Sequence, residues 1–344
     1  MKLLIITQKV DKNDSILGFF HRWLEEFAKN YEKLTVICLY RGSYDLPQNV
    51  RVLSLGKEDK PSKLKYVFRF YKYIWQYRHD YQAVFVHMNQ EYILLAAWYW
   101  HLMGKKIYLW RNHVIGNFLT RWAVLFSHKV FYTSSSAFVA HFKNSVVMPV
   151  GNDELFFSPV SGIERQKDTV CMLGRIAPIK NIDLALRAMS ILVLAGKKIT
   201  LTIVGSARPQ EIAYYDSLTK YVQENNLSDY VFFVPEQPMD KHPEIFSAYS
   251  INLNLTASGS FDKTILGGIS CGALPLVTNQ SLKGLLPAAC VVDGDPQSVA
   301  QGIIHLLDTS ASHQITEDLN HFVKFHSLSS LFNKLLIEID SKRK

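Results

Sequence analysis

Short apolar runs typical of β-strands alternate with amphipathic runs typical of α-helices along almost the whole chain. In the first half the pattern predicts strands at residues 2–8, 34–40, 50–55, 82–87, 106–110, 129–132 and 146–150. In the second half it predicts strands at residues 169–173, 200–204, 230–234, 252–255 and 273–277, with helices between them. Repeated alternation of this kind indicates parallel sheets with helices on both faces.

Between residues 150 and 167 the alternation is interrupted by glycine, proline and charged residues, so this segment is predicted to link two domains. A length of 344 residues is usual for two domains. The predicted fold class is α/β, with two Rossmann-like, doubly wound domains over residues 1–155 and 156–325. They are expected to face a central cleft that holds the ligand at the carboxyl ends of the strands. A helix within residues 326–344 is expected to pack back on the first domain.

The composition is that of an ordinary globular protein, with 48% hydrophobic and 20% charged residues. No apolar run approaches the ~18–20 residues of a membrane-spanning helix, and the apolar start of the chain is too short for a signal peptide. We therefore expect a cytoplasmic protein without a membrane span or a secretion signal. Its four cysteines lie far apart and form no CxxC pair, so buried free thiols are predicted.

The charge is distributed unevenly along the chain. Residues 1–150 contain 21 Lys and Arg against 10 Asp and Glu, a net charge of +11, whereas residues 151–344 contain 17 against 20, a net charge of −3. A basic half of this kind is expected to meet something anionic. Net charge alone does not choose among a nucleic acid, a phosphorylated substrate and a membrane surface.

The helix predicted over residues 62–78 is rich in both cations and aromatic rings. Lys65, Arg69 and Lys72 are predicted to share one face. Another face, expected to pack on the sheet, contains Leu64, Val67, Phe68, Tyr71, Ile74 and Trp75. Cations among aromatic rings suit the headgroup layer of an anionic membrane, and an ordinary solvated face fits equally well. No RNA-binding motif accompanies the helix, so no nucleic-acid partner is predicted.

Several common catalytic and cofactor motifs are absent from the sequence. It contains no GxGxxG or GxxxxGK[ST] phosphate loop, no GxSxG and no HExxH, and its histidines show no ligand-like spacing. Asp293 and Asp295 form a DxD pattern, but Asp295 precedes Pro296 as a helix-capping residue does. We therefore predict neither a metal site nor a bound cofactor.

Two stretches of the second half suit the binding of an anionic ligand. In residues 171–181 a strand is followed by a loop with Arg175 and Lys180, two cations that suit a diphosphate. In residues 255–272 a strand is followed by a loop in which Gly259 permits close backbone approach, and then by a helix start near Asp262. An ordinary basic loop fits the first stretch as well, and simple helix capping by Asp262 fits the second.

Together these stretches resemble retaining glycosyltransferases of family 4, which have the GT-B fold. The matching pieces are GRIAPIKN at 174–181, LTIVG at 201–205, SGSFDKTILGGISCGALPLV at 258–277 and MPVGNDELFFSP at 148–159. VFVHMNQEY at 84–92 and LWRNHV at 109–114 are similar to a bacterial branch with an Asp-Lys pair in the donor loop.

The resemblance implies a metal-independent, retaining transfer of a hexose from a nucleotide-diphosphate sugar. The implied acceptor is a lipid-linked or surface glycan, as in polysaccharide biosynthesis, and the implied location is peripheral, on the cytoplasmic face of the inner membrane. Two alternatives remain open at this point: a catalytically degenerate relative that binds nucleotide or glycan as a partner or scaffold, and another GT-B enzyme such as a sugar epimerase.

The resemblance also implies roles for individual residues. Arg175 and Lys180 would hold the donor diphosphate, and His113 and Asp262 would be the catalytic residues beside the donor sugar. The remaining positions implied in donor binding are Gly18, Glu236, Gly259, Ser260, Lys263 and Gly267. Gly259 and Gly267 stand where the family often has two glutamates, the first for the donor sugar and the second for the ribose. Asp262, in the same loop, can take over part of the first role.

Overall fold

The computed structural model describes residues 1–14, 17–59, 62–258 and 262–340. The chain forms two compact units. Unit 1 comprises Met1–Pro149 and Leu331–Lys344, and unit 2 comprises Val150–Ser330.

Unit 1 contains a seven-stranded parallel sheet in the order β3-β2-β1-β4-β5-β6-β7. Its strands are β1 (Lys2–Val10), β2 (Lys33–Arg41), β3 (Val50–Ser54), β4 (Ala83–His87), β5 (Lys106–Trp110), β6 (Lys129–Tyr132) and β7 (Ser145–Val147). Its first four helices are α1 (Phe19–Asn30), α2 (Lys63–Gln76), α3 (Glu91–Leu102) and α4 (Phe118–Phe126).

The strand order determines which face of this sheet each helix covers. The chain moves from β1 to β2 in one direction, and from β3 through β4 and β5 to β6 in the other. Because crossovers between parallel strands are right-handed, α2, α3 and α4 lie on one face and α1 lies on the opposite face. Buried side chains of the three helices, such as Phe70, Ile93 and Trp100, pack there with the strands in one hydrophobic cluster.

The predicted orientation of α2 is wrong in part. Leu64, Phe68 and Trp75, expected to pack on the sheet, are 81%, 70% and 61% exposed. Ile74 is buried as predicted, and Phe70, which was not assigned to that face, is buried as well. At 100° per residue, Phe70 and Ile74 lie opposite Lys65, Arg69 and Lys72, so the periodicity of this helix favours the buried side that is observed. Contact with the neighbouring α3 covers that side. There the Phe70 ring packs on Tyr92 at 5.1 Å, and the Tyr71 hydroxyl donates to the Leu95 carbonyl at 2.7 Å.

The predicted basic face of α2 is only partly formed. Lys65 and Lys72 are exposed. Arg69 is half-buried and donates to the Leu55 carbonyl at 2.8 Å, so it supports the fold rather than extending the basic face.

Unit 2 contains a five-stranded parallel sheet in the order β10-β9-β8-β11-β12. Its strands are β8 (Gln166–Leu173), β9 (Thr200–Val204), β10 (Val231–Val234), β11 (Tyr249–Asn254) and β12 (Leu274–Val277). Its helices are α5 (Ile182–Leu194), α6 (Ile212–Glu224), α7 (His242–Ala248), α8 (Lys263–Ser270), α9 (Pro296–Leu307) and α10 (Thr309–Phe325). The predicted pair of parallel-sheet, Rossmann-like domains is confirmed.

The last helix, α11 (Leu328–Ile339), belongs to unit 1 from Leu331 onward. Its Phe332 ring packs edge-on against Phe27 at 4.8 Å, and the Tyr108 hydroxyl donates to the Ile339 carbonyl at 3.0 Å. These contacts place the C-terminal segment against α1 and β5.

Two further features concern the chain as a whole. All four cysteines are free and buried, as predicted. Within the described ranges, no helix combines the length and the apolar character that crossing a bilayer requires.

Candidate functional site

The sheet of unit 2 reverses its winding between β8 and β11. The chain leaves β8 for β9 on one side and reaches β11 on the other. Ligands of open α/β sheets bind at such a switch point, beyond the carboxyl ends of the strands. A pocket lies there, and the residues lining it include Gly174, Arg175, Lys180, Asn254 and Thr256.

Two glycines bring the backbone together at this edge. Gly174, directly after β8, has φ +145°, a conformation that favours glycine, and its amide donates to the Val204 carbonyl at 3.0 Å. At Gly205, directly after β9, an added Cβ would overlap the Gly174 carbonyl oxygen. Glycine at both positions therefore permits the close approach that shapes the start of the Arg175 loop.

Both cations predicted to hold a diphosphate line this pocket, and each is paired with a carboxylate. Arg175 is exposed, and its Nε lies 3.4 Å from a carboxylate oxygen of Glu211. Lys180 ends a short 3₁₀ turn before α5, and its Nζ lies 2.5 Å from Oδ2 of Asp262. The carboxylates orient the cations at the mouth of the pocket, where a bound anion can still approach them.

Asp262 caps α8, as one of the two sequence interpretations had it. Its Oδ1 accepts from the Thr264 amide at 3.1 Å and from the Thr264 hydroxyl at 2.9 Å, while Oδ2 accepts from Lys180. Burial alone would raise the pKa of this carboxyl, but the charge and hydrogen bond of Lys180 outweigh it and lower the pKa. With both oxygens occupied, the carboxylate positions Lys180 as well as the helix start.

Two asparagines that sequence reasoning did not single out support this arrangement. Asn181 has a left-handed backbone, and its amide donates to the Leu255 carbonyl at 2.8 Å, which ties the Lys180 turn to the end of β11. The buried Asn254 donates to the Thr264 hydroxyl at 3.1 Å and accepts from the Thr256 amide at 3.2 Å. A signal was available, because a buried asparagine at a strand end needs polar partners.

Lys263 follows directly at the first position of α8. The residue as a whole is half-buried, but its ammonium is buried, and burial lowers its pKa to about 7. Glu236, by contrast, lies in the exposed loop after β10, where its amide donates to the Ser206 hydroxyl at 3.1 Å.

The two glycines that stand where the family often has glutamates are described to different extents. Gly259, like the adjacent Ser260, lies outside the described residues. Gly267 is buried in α8, and an added Cβ would lie 3.1 Å from the Phe157 ring and 3.2 Å from the Phe246 ring. A side chain at this position would therefore point into packed aromatic rings, which disagrees with the expectation that position 267 faces a ribose.

The two candidate residues of unit 1 lie in loops that follow strands. Gly18 precedes α1, and an added Cβ would lie only 2.5 Å from the Asp14 carbonyl oxygen, so the loop itself requires glycine there. His113 follows β5 and is exposed, with its Nδ1 3.0 Å from the Ile115 amide nitrogen. When Nδ1 accepts from that amide, Nε2 bears the ring proton and can donate to a ligand.

The Asp293–Asp295 pattern has a structural explanation. Asp295 caps α9, accepting from the Ser298 amide at 2.9 Å, which confirms the predicted cap. No cluster of three or more His, Cys, Asp or Glu side chains suited to a metal ion occurs in the described part of the chain.

The low pKa of Lys263 leads to a testable expectation for nucleotide binding. At about pH 8 an ammonium with a pKa near 7 is mostly neutral, and a diphosphate beside it would favour the charged form. Binding of a nucleoside diphosphate at about pH 8 should therefore take up more than half a proton from the buffer. Calorimetric titrations in two buffers of different ionisation enthalpy measure this uptake. Lys263→Met should abolish the uptake, and an unchanged proton count would separate Lys263 from the diphosphate.

Residues 153–318, which lie within unit 2, match the family model described as "Glycosyl transferases group 1". Among curated proteins, the D-inositol 3-phosphate glycosyltransferase of Acidothermus cellulolyticus is 26% identical over 200 residues, covering 52% of this chain and 44% of the relative. That of Mycolicibacterium smegmatis is 28% identical over 144 residues, covering 42% of this chain and 30% of the relative. The chain thus spans less than half the length of these relatives.

Solved structures resemble the chain over nearly its whole length. HepE from Anabaena, in complex with UDP, superimposes with a TM-score of 0.78 at 16% identity, covering 99% of this chain and 100% of that one. TarM from S. aureus, in complex with fondaparinux, α-GlcNAc-glycerol and UDP, superimposes with a TM-score of 0.72 at 9% identity, covering 99% and 100%. These likenesses show the fold, which is GT-B, as expected from the sequence.

Proposed function

We propose that this protein is a retaining glycosyltransferase that moves a hexose from a UDP-sugar to a glycan or lipid-linked acceptor. The observation that carries the proposal is the position of Arg175 and Lys180. Both line one pocket at the switch point of unit 2, where an anionic ligand of an open α/β sheet is expected. UDP in complexes of similar folds supports uracil as the base of the donor nucleotide.

The proposed chemistry depends on stabilising the diphosphate as it leaves the sugar. Arg175 can bind two phosphate oxygens, and Lys180 adds a point charge held in place by Asp262. The first amides of α8 point toward the same edge of the sheet and favour negative charge there. With the leaving charge balanced by these groups, we propose a reaction that needs no metal ion. As its bond to the sugar breaks, the departing phosphate accepts the proton of the acceptor hydroxyl, whose oxygen forms the new bond on the same face of the sugar. The configuration is thereby retained without an enzymic base.

His113 and Asp262 have different parts in this proposal. We propose that His113 donates from Nε2 to a hydroxyl of the donor sugar, with Nδ1 anchored by the Ile115 amide. Asp262 acts mainly by positioning Lys180, because both of its oxygens already accept hydrogen bonds from the protein. Glu236, in the loop after β10, and Lys263, at the first position of α8, are proposed to contact the nucleotide.

The acceptor side of the proposal concerns location. A lipid-linked acceptor would place the protein peripherally, on the cytoplasmic face of the inner membrane. The net charge of +11 over residues 1–150 favours such a location, because cytoplasmic leaflets carry anionic lipids.

A panel of nucleotide sugars followed by NMR tests this function. Slow hydrolysis or transfer from one UDP-sugar, with the anomeric configuration of the released sugar retained, is the expected result. The variant His113→Ala should slow turnover while leaving UDP affinity unchanged, since the histidine is proposed to touch the sugar rather than the diphosphate. Failure of the parent protein to bind any nucleoside diphosphate would overturn the proposal, and release with inverted configuration would overturn its retaining part.

A further inference from the structure

Three neighbouring helices of unit 1 leave large apolar side chains exposed. On α2, α3 and α4 nine such residues are between 40% and 81% exposed: Leu64, Phe68, Trp75, Trp98, Leu102, Phe118, Leu119, Trp122 and Leu125. We name these nine residues the outer apolar surface. They lie on helices that cover the same face of the sheet.

The three helices that carry the outer apolar surface are neighbours. Trp75 of α2 contacts Tyr99 of α3 at 6.3 Å between ring centroids. His101 of α3 lies 3.0 Å from the Phe126 carbonyl of α4. Helices of 14, 12 and 9 residues packed about 10 Å apart form a layer of roughly 20 by 30 Å. The exposed apolar side chains cover part of this layer, and clusters of such side chains usually mark an interaction site.

The charges among these side chains indicate which partner fits. The three helices contain five Lys and Arg and a single acidic residue, Glu91. Lys65, Lys72 and Arg121 are exposed among the apolar side chains. A second copy of the same surface would bring these cations against one another, whereas anionic lipid headgroups would neutralise them.

The polar groups of the surface are compatible with insertion into the headgroup layer. The Trp98 indole nitrogen donates to the Leu95 carbonyl at 2.9 Å, so this ring can enter an apolar layer without an unpaired donor. The Arg78 guanidinium stacks over the Trp75 ring at 4.6 Å, at the end of α2. Tryptophan and basic side chains together are typical of proteins that lie in the membrane interface.

We propose that the outer apolar surface is a bilayer-binding face, which inserts into the headgroup region of an anionic membrane while Lys65, Lys72 and Arg121 contact lipid phosphates. The inference deepens the proposed function by specifying how the peripheral location is achieved, and in that sense it rests on it. All residues on which this inference depends belong to unit 1. It can therefore be tested separately from the proposed donor site of unit 2.

The tryptophans of the protein provide a direct test. Of the six, Trp75, Trp98 and Trp122 are exposed and belong to this surface, while Trp23, Trp100 and Trp110 are buried. Vesicles of phosphatidylcholine with about 30% phosphatidylglycerol, an anionic mixture, should shift the emission to shorter wavelength. Lipids brominated near the top of the acyl chains should quench it. Binding should also weaken as salt is added.

Three variants separate insertion from simple charge attraction. Phe68→Ser, Leu102→Ser and Leu125→Ser together change one exposed residue on each helix and should weaken vesicle binding at least tenfold without changing the melting temperature. A matched control changes three exposed residues of unit 2, Phe232→Ser, Leu194→Ser and Leu285→Ser, and should bind like the parent. Lys65→Gln, Lys72→Gln and Arg121→Gln together should remove most of the preference for phosphatidylglycerol.

Several results would overturn the proposal. The parent protein could fail to bind anionic vesicles at low salt. The triple variant with Phe68→Ser, Leu102→Ser and Leu125→Ser could bind vesicles as well as the parent, or binding could occur without tryptophan quenching. A different result would assign the surface to a protein partner instead. In that case the parent would not bind vesicles, and sedimentation would show a dimer or a protein complex that the variant with serine at 68, 102 and 125 does not form. UDP titration of these same proteins reports independently on the donor site. Vesicle binding without UDP binding would therefore leave this inference standing while the proposed function failed.

Discussion

Replacing Arg175 and Lys180 together by alanine is expected to weaken UDP binding about 100-fold or more, with about tenfold for each single change. Hydrogen bonds to charged groups contribute roughly 1.5–3 kcal/mol each, and about 1.4 kcal/mol corresponds to a factor of ten. The two substitutions also remove the cations that pair with Glu211 and Asp262, so these carboxylates would repel the diphosphate. Isothermal titration of the parent and variants with UDP measures the effect.

Controls for this prediction come from ion pairs of similar geometry away from the pocket. Arg187→Ala and Lys220→Ala break pairs with Asp183 and Glu224 on the surfaces of α5 and α6 and should leave UDP affinity unchanged. Equal losses in these controls would contradict the site, because they would show a general effect of lowering the positive charge.

Lys180→Ala alone also leaves the half-buried Asp262 carboxylate without its cation, which is expected to cost stability. Combining Lys180→Ala with Asp262→Asn should restore much of the melting temperature, since asparagine is also a good N-cap. It should not restore UDP binding. Recovery of both would mean that Lys180 acts only through the fold.

Introducing glutamate at position 267 is expected to destabilise the protein by about 2 kcal/mol or more. The added Cβ already crowds the Phe157 and Phe246 rings, and the carboxylate would be buried among them without a partner. Crowding a packed core typically costs about 1–3 kcal/mol, and burying an unpaired polar group adds to this. The melting temperature of this domain should fall by roughly 4–8 °C.

Two further glycine variants separate the effect of crowding from the effect of burying a carboxylate on the stability of the protein. Gly267→Ala tests the crowding alone and should cost less than the glutamate. Gly294→Glu adds the same side chain where an added Cβ meets nothing within 4 Å, so it should be nearly neutral. The family alignment predicts the opposite result for Gly267→Glu: a stable protein that binds UDP more tightly than its 2′,3′-dideoxy analogue. That result would show that α8 presents position 267 to the ribose.

Local signals in the sequence were sufficient to predict the strands and helices that carry the site residues. The strands at Lys106–Trp110 and Thr200–Val204 and the helix start at Asp262 occur where periodicity and capping predict them. Such signals are read within a few residues, so they do not depend on distant contacts. For the same reason the loop after β8 could be recognised as a candidate anion site from Arg175 and Lys180 alone.

The partners of those residues could not be predicted, because they are distant in the sequence. Lys180 and Asp262 are 82 positions apart and meet only because β8 and β11 are neighbours in the sheet. The link from Asn181 to the Leu255 carbonyl spans 74 positions and has the same origin. Packing of α2 against α3 buries Phe70 and leaves Leu64, Phe68 and Trp75 outside. The sequence by itself thus determined the elements, the strand-to-helix order and the candidate cations, since these depend on local chemistry. The tertiary structure decided which side chains pair and which faces remain exposed, because both depend on neighbours that only the folded sheet brings together.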